Sequence, residues 1–236
     1  MIPRVSGITR LHVVPVPHTN EATYVLDAVG GRWIAKREAE MGSEALVAEA
    51  AAWQFARIIG APVPGAAFCD DPGERTWLSA VVPHVFHWFA AHAPGVTNGE
   101  EFGAILAVDV LVFNEARHAR NILAESLAGE QVRLWAIDAD EALIGHPADY
   151  RRRLADIPSV RNHARGLPID RMANGARAAA LRLAECPAAM LRAATEEACE
   201  IGREPDAATL GDLVLQRACA LPDLVEGYIH ALRGLR

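Results

Sequence analysis

The 236-residue sequence lacks paired cysteines: Cys69, Cys186, Cys199 and Cys219 are scattered, with no CxxC unit. That excludes a zinc-ribbon or thioredoxin-type motif and a small disulfide scaffold, and fits reduced thiols. No apolar run approaches the roughly 18–20 residues of a membrane span. The opening MIPRVSGITRLHVVPVP carries no apolar signal core, so no secretory signal is expected and the chain reads as cytoplasmic. Basic charge is also short: the formal charge is −7 and the pI about 5.7, which speaks against a general nucleic-acid binder. Repeats and low-complexity tracts are missing beyond Ala-rich helices. A glycine-rich G-x-G-x-x-G phosphate loop is absent from residues 1–40, where Gly30-Gly31 is the nearest candidate.

What remains is ordinary globular composition, 51% hydrophobic and 22% charged, enough for one domain or two packed lobes around a sizeable core. LHVVPVP, ATYVLDAV and RWIAK read as three short strands, the last two joined at Gly30-Gly31. Lys36 ends the third and by itself reads as an exposed edge-strand lysine. Residues 42–60 predict a helix capped by Ser43 and stopped by Gly60, with Glu49 inside its apolar stretch. On the inner side of that helix Glu49 would pair with a strand lysine such as Lys36. Val63–Cys69 and Thr76–Pro83 follow as strands around the turn Asp70-Asp71-Pro72-Gly73. Phe86, Trp88 and Phe89 read as core. His84 and His87 sit at i and i+3 but have no third metal ligand nearby.

A loop over 90–99 separates this strand-rich part from a helix-rich one. A helix over 100–113 leads into the polar turn 115–120, the apolar pair Ile122-Leu123 and the β-like run Val132–Ile137, which Asp138 closes. Rigid apolar elements ending in clustered Asn, His and Asp are a usual way to place polar chemistry. Taken without further context, residues 114–121 read as a polar connecting loop and Asp138 as a helix cap. Beyond Asp138 the pattern predicts helices near 171–185, 187–202, 206–218 and 222–235, after a basic segment at Tyr150–Asp156.

In that central stretch the chain resembles the HipA-like kinases, related in fold to the phosphoinositide-kinase-like phosphotransferases. The family pattern runs from an apolar helix with an Asp to N-x-D-R-H-x-x-N and two hydrophobic residues. A loop and then hydrophobic-I-D follow. Here it is matched by Asp109, by Asn114-Glu115-Ala116-Arg117-His118-Ala119-Arg120-Asn121-Ile122-Leu123, and by Ala136-Ile137-Asp138. Ile34-Ala35-Lys36 and Glu49, eleven residues before Gly60-Ala61-Pro62-Val63-Pro64, extend the match over roughly residues 10–145.

The resemblance implies a two-lobed α+β fold of the protein-kinase type. Residues 1–90 would form a small antiparallel sheet with one helix, and residues 91–236 a mostly helical second lobe. It also implies ATP and Mg2+ as ligands. Lys36 would contact the phosphates, Glu49 would hold Lys36, and Val82 to Val85, including His84, would form the adenine hinge. Asn121 and Asp138 would bind magnesium, while Arg117 and His118 would brace the catalytic loop. The family's catalytic Asp aligns with Ala116, which can neither accept a proton nor orient a hydroxyl, leaving Glu115 as the neighbouring carboxylate. Two outcomes stay open: a phosphotransferase acting on a protein or small-molecule acceptor, or a nucleotide-binding pseudokinase. A helical interaction module that lost the pocket is a third.

Overall fold

The computed structural model describes residues 1–13, 22–71 and 73–235. The tail of the first expected strand (residues 14–17) and Pro72 of the expected turn lie outside them. The fold is mixed α+β. Six strands, β1 (Arg4–Val5), β2 (Thr9–Val13), β3 (Ala22–Leu26), β4 (Arg32–Arg37), β5 (Ala66–Asp71) and β6 (Glu74–Ala80), form one sheet in the order β1-β5-β6-β4-β3-β2. Every neighbouring pair is antiparallel except β1 with β5, which run parallel.

Strand alternation sorts the side chains of this sheet onto two faces. Val25, Ala35, Ala67, Cys69 and Leu78 form a small separate cluster on one face, with Trp33 packed against it. Their neighbours Tyr24, Ile34, Lys36, Trp77 and Ser79 line a cavity. The register sets Lys36 opposite Ala22 on one side and Trp77 on the other.

After the single turn α1 (Glu38–Met41) comes α2 (Ser43–Ile59). Its buried residues, from Ala45 to Ile59, include Glu49. The stop at Gly60 is as expected: its φ is 71°, the left-handed conformation that glycine adopts without Cβ strain. The cap at the other end is not. Gly42 occupies the cap position and Ser43 is already helical, its hydroxyl bonded to Glu44 rather than to a backbone amide. The expected strand from Val63 begins at Ala66, because Pro62 and Pro64 have no N–H to give a ladder.

A second, antiparallel sheet joins β7 (Val85–His87), β8 (Ile122–Ser126) and β9 (Val132–Ala136). Between β7 and β8 runs α3 (Gly99–Val112), of which all but Glu100 and Glu101 are buried. It packs against α5 (Ile169–Ala184) through glycines. A Cβ on Gly103 would lie 2.1 Å from the Met172 carbonyl oxygen, and one on Gly175 1.8 Å from that of Glu100. The remaining helices are α4 (Pro147–Arg152), α6 (Ala188–Gly202) and α7 (Ala207–Arg233).

Helix α7 replaces the two helices expected around Pro222. It continues through the proline because Leu221, Leu224 and Val225 on either side are buried in the core. Tertiary burial there outweighs the local break, which costs about 3 kcal/mol. In the same helix Arg217 is fully buried, and among the described residues no carboxylate forms an ion pair with it. It donates to the carbonyls of Val110, Arg153, Leu154 and Asp156 and lies over the Phe113 and Tyr150 rings. Burial therefore lowers the pKa of its guanidinium. Among the described residues, no helix is long and apolar enough to cross a membrane.

Candidate functional site

The α3 C-terminus sets the site. Phe113 turns into the left-handed region and the chain leaves the helix as 114–118, a loop held by backbone bonds and by a set of buried side chains. Asp109, 1% exposed, accepts two bonds from Arg117, Nε to Oδ2 at 2.9 Å and Nη2 to Oδ1 at 2.8 Å, and a third from Asn114 Nδ2 at 2.9 Å. Asn114 Oδ1 in turn accepts the Ala116 amide at 2.9 Å, and Asn121 Nδ2 donates to the Ala116 carbonyl at 2.8 Å. Arg117 Nη1 reaches the carbonyls of Asn121 (3.0 Å) and Ile137 (2.6 Å), tying the loop to the end of β9. Burial alone would favour a neutral guanidine, but the Asp109 carboxylate raises the Arg117 pKa instead.

Directly after β9, Asp138 takes φ 63°, a left-handed conformation that Asp tolerates better than most residues. From this turn its carboxylate bonds Lys36 Nζ across the gap between the two sheets. Lys36 Nζ also lies 2.6 Å from Glu49 Oε1 and 3.5 Å from Asp140 Oδ2. The other Glu49 oxygen accepts the Ala139 amide at 3.2 Å. Strand β4, helix α2 and the turn after β9 thus converge on one ammonium. Lys36 is not an exposed edge lysine: its side chain is 16% exposed.

The electrostatics follow from three acids around one base. Burial favours neutral Lys36, yet Asp138, Glu49 and Asp140 together hold its ammonium pKa well above the ordinary value. Burial pushes the Asp138 carboxyl up, but Lys36, a hydrogen bond with Asp140 and Arg117 outweigh it and hold it well below the usual range. Asp140 goes the other way. Burial, only partly opposed by Lys36 and reinforced by Asp138 and Glu49, raises it to about 7. The ligand oxygens of Glu49, Asp138 and Asp140 lie within 4.8 Å of one another. Such an all-oxygen set fits a hard divalent cation such as Mg2+.

Lys36, Glu49 and Asp138 form the polar end of a cavity of about 390 Å³ whose remaining wall is mainly apolar, including Ile34, Trp77, Val82, Val85, Leu123 and Ile137. That volume falls in the usual range of small-molecule sites. The structure therefore brings together Lys36, Glu49 and Asp138, with Val82 on the cavity wall. Arg117 and Asn121 stand behind them in the loop scaffold. Three expected site residues lie elsewhere. His84 is exposed at φ 54° and is not part of the cavity wall. His118 is exposed, with its backbone turning the loop. Glu115 is also exposed, and its Oε1 accepts the Ser159 amide at 2.8 Å. Sequence reasoning missed Asp140; the signal was a second carboxylate two residues after Asp138.

No family profile matches this sequence, and neither does any curated protein. Similar solved structures exist. The Helicobacter pylori proinflammatory kinase CtkA aligns over 94% of this chain and 96% of its own, with a TM-score of 0.64 at 10% identity. HipA of Shewanella oneidensis MR-1, from a toxin–antitoxin complex with HipB and operator DNA, aligns over 97% of this chain and 65% of its own. Its TM-score is 0.45, at 10% identity. With the first of these alignments running almost end to end in both chains, the fold of this protein is kinase-like.

Proposed function

We propose that this chain is a HipA-like phosphotransferase that binds ATP with Mg2+, divided near residue 90 into a sheet-rich lobe and a helical lobe. The observation that carries the reading is Lys36, held by Glu49 and Asp138 at the polar end of an apolar cavity. In a kinase-like fold that lysine is placed for the nucleotide phosphates, and Glu49 fixes its position. The apolar wall with Val82 suits a purine base. Asp138 and Asn121 would hold Mg2+, which when bound neutralises phosphate charge. Arg117 keeps the 114–121 loop and the Asp138 turn in register. The ligands this reading names, ATP and magnesium, are abundant in the cytoplasm. The acceptor is a protein or small molecule, and the acidic net charge argues against a nucleic acid.

Ala116 favours a second reading, a pseudokinase that binds nucleotide without passing phosphate on. Loss of a general base costs on the order of 10²–10⁴ in rate, while positioning and charge neutralisation supply much of phosphoryl transfer. The first reading therefore expects slow transfer, and the second none. Glu115 is engaged with Ser159, which argues against its replacing the missing Asp. Calorimetry of ATP binding with and without Mg2+, on the native chain and on Asp138→Asn, tests the nucleotide site. Asn suits the left-handed turn, so it changes charge and little else. Magnesium-dependent binding that the variant loses supports both readings, and absence of binding to the native chain overturns both. Transfer of labelled γ-phosphate, compared with Ala116→Asp, then separates them.

A further inference from the structure

Asp138 and Asn121 are the cation ligands that the kinase resemblance supplies, and the structure places beside Asp138 a further acid that it does not supply. Asp140 lies 3.5 Å from Lys36 Nζ with its side chain 12% exposed, hydrogen-bonded to Asp138. Glu49 already has a partner on each oxygen, Lys36 on one and the Ala139 amide on the other. Its carboxylate is therefore committed to holding the lysine and the turn. Asp138 and Asp140 are differently placed. They project from one short turn, their carboxyls touch, and both draw on Lys36, which Glu49 also claims. With all three ionised, these carboxylates outweigh the charge of the one ammonium they share, in a largely enclosed space. Like charges so close are unfavourable unless a cation enters.

Resting on the nucleotide-binding reading, we infer that Asp140 is a ligand of the divalent cation, which sits between Asp138 and Asp140. A divalent ion there supplies positive charge to both carboxylates at once. It also loosens the hold of both aspartates on Lys36, freeing the ammonium for a nucleotide phosphate while Glu49 keeps it in place. Lys36 thus stands in, without nucleotide, for the charge that the cation supplies. Asp140 would accordingly govern cation affinity more than nucleotide affinity.

The test is Mn2+ binding followed by the electron paramagnetic resonance of the free ion, in the presence of a non-hydrolysable ATP analogue. The native chain is compared with Asp140→Asn and Asp140→Glu. Losing a direct ligand should weaken Mn2+ by at least about tenfold in Asp140→Asn, since even outer partners of metal ligands cost 10–100-fold. Asp140→Glu, which keeps the charge, should recover part of that loss. Analogue binding without metal should hold or tighten in Asp140→Asn, because negative charge has been removed. If Asp140 only balances Lys36, Mn2+ affinity in Asp140→Asn will match the native value, and the assignment is overturned. A native chain that binds no analogue at all overturns the nucleotide reading itself. Thermal melts confirm that both variants are folded.

Discussion

Replacing Arg117 with Met tests the scaffold behind the site. Met fills much of the same space and removes the charge. The substitution strips two bonds from Asp109 and one each from the Asn121 and Ile137 carbonyls. Asp109, 1% exposed, then keeps Asn114 as a side-chain donor but no cation. Leaving one member of a buried ion pair unpartnered costs about 3–5 kcal/mol, from a total stability of about 5–15 kcal/mol. For a chain of this size that is a fall in Tm of roughly 6–20 °C. Urea unfolding followed by circular dichroism, with scanning calorimetry, measures it. The partner experiment is Asp109→Leu with Arg117→Met. Removing both charges should destabilise far less than the sum of the single changes, because no orphan charge remains. A loss below about 1 kcal/mol in Arg117→Met, or strict additivity in the double variant, would refute the claim that this pair holds the loop.

Two further outcomes follow from packing and protonation. His163, beside Tyr228, Asp109 and Arg117, is pushed down to about 4 by burial, so the folded chain prefers it neutral. Above its ordinary value of 6.5 this has no pH-dependent effect. Between about pH 6.5 and 4 the unfolded chain takes up the proton first, and stability should fall by about 3 kcal/mol. His163→Gln should flatten the stability profile over that window, and an unchanged profile would remove His163 as its cause. At the α3–α5 crossing, Gly175→Ala should destabilise by about 2 kcal/mol net, overpacking against the Glu100 carbonyl outweighing about 1 kcal/mol of helix propensity. Gly211→Ala, whose added carbon meets Arg192 at an ordinary 3.6 Å, should instead stabilise. Urea midpoints of the two variants check both signs, and equal shifts would refute the reasoning.

Local chemistry made much of the fold readable. The β3–β4 hairpin, the stop of α2 at Gly60 and the burial of α3 were all visible as turn residues and apolar patterning. The loop 114–121 was visible as a motif. What escaped depends on contacts between distant segments. Nothing near Arg4 announces a parallel partner at Phe68. Pro222 reads as a break because its burial is supplied by other helices. Glu115 and Asp140 differ in the same way: one is a carboxylate beside the motif that turns out to Ser159, the other a carboxylate past it that turns in to Lys36. Chain position gave no hint of either direction, because loop side chains follow backbone torsions that the surrounding packing sets.

The backbone of residue 116 is anchored at both ends by asparagines, its amide by Asn114 and its carbonyl by Asn121. None of those bonds involves the side chain at 116. The architecture of the loop is therefore inherited separately from the group it displays. A lineage can drop the carboxylate and keep the cradle, and an alanine codon ending in a pyrimidine lies one base change from aspartate. On the kinase reading proposed above, an acid at this position could return by a single change, whereas loss of either asparagine would remove the frame on which it would have to act.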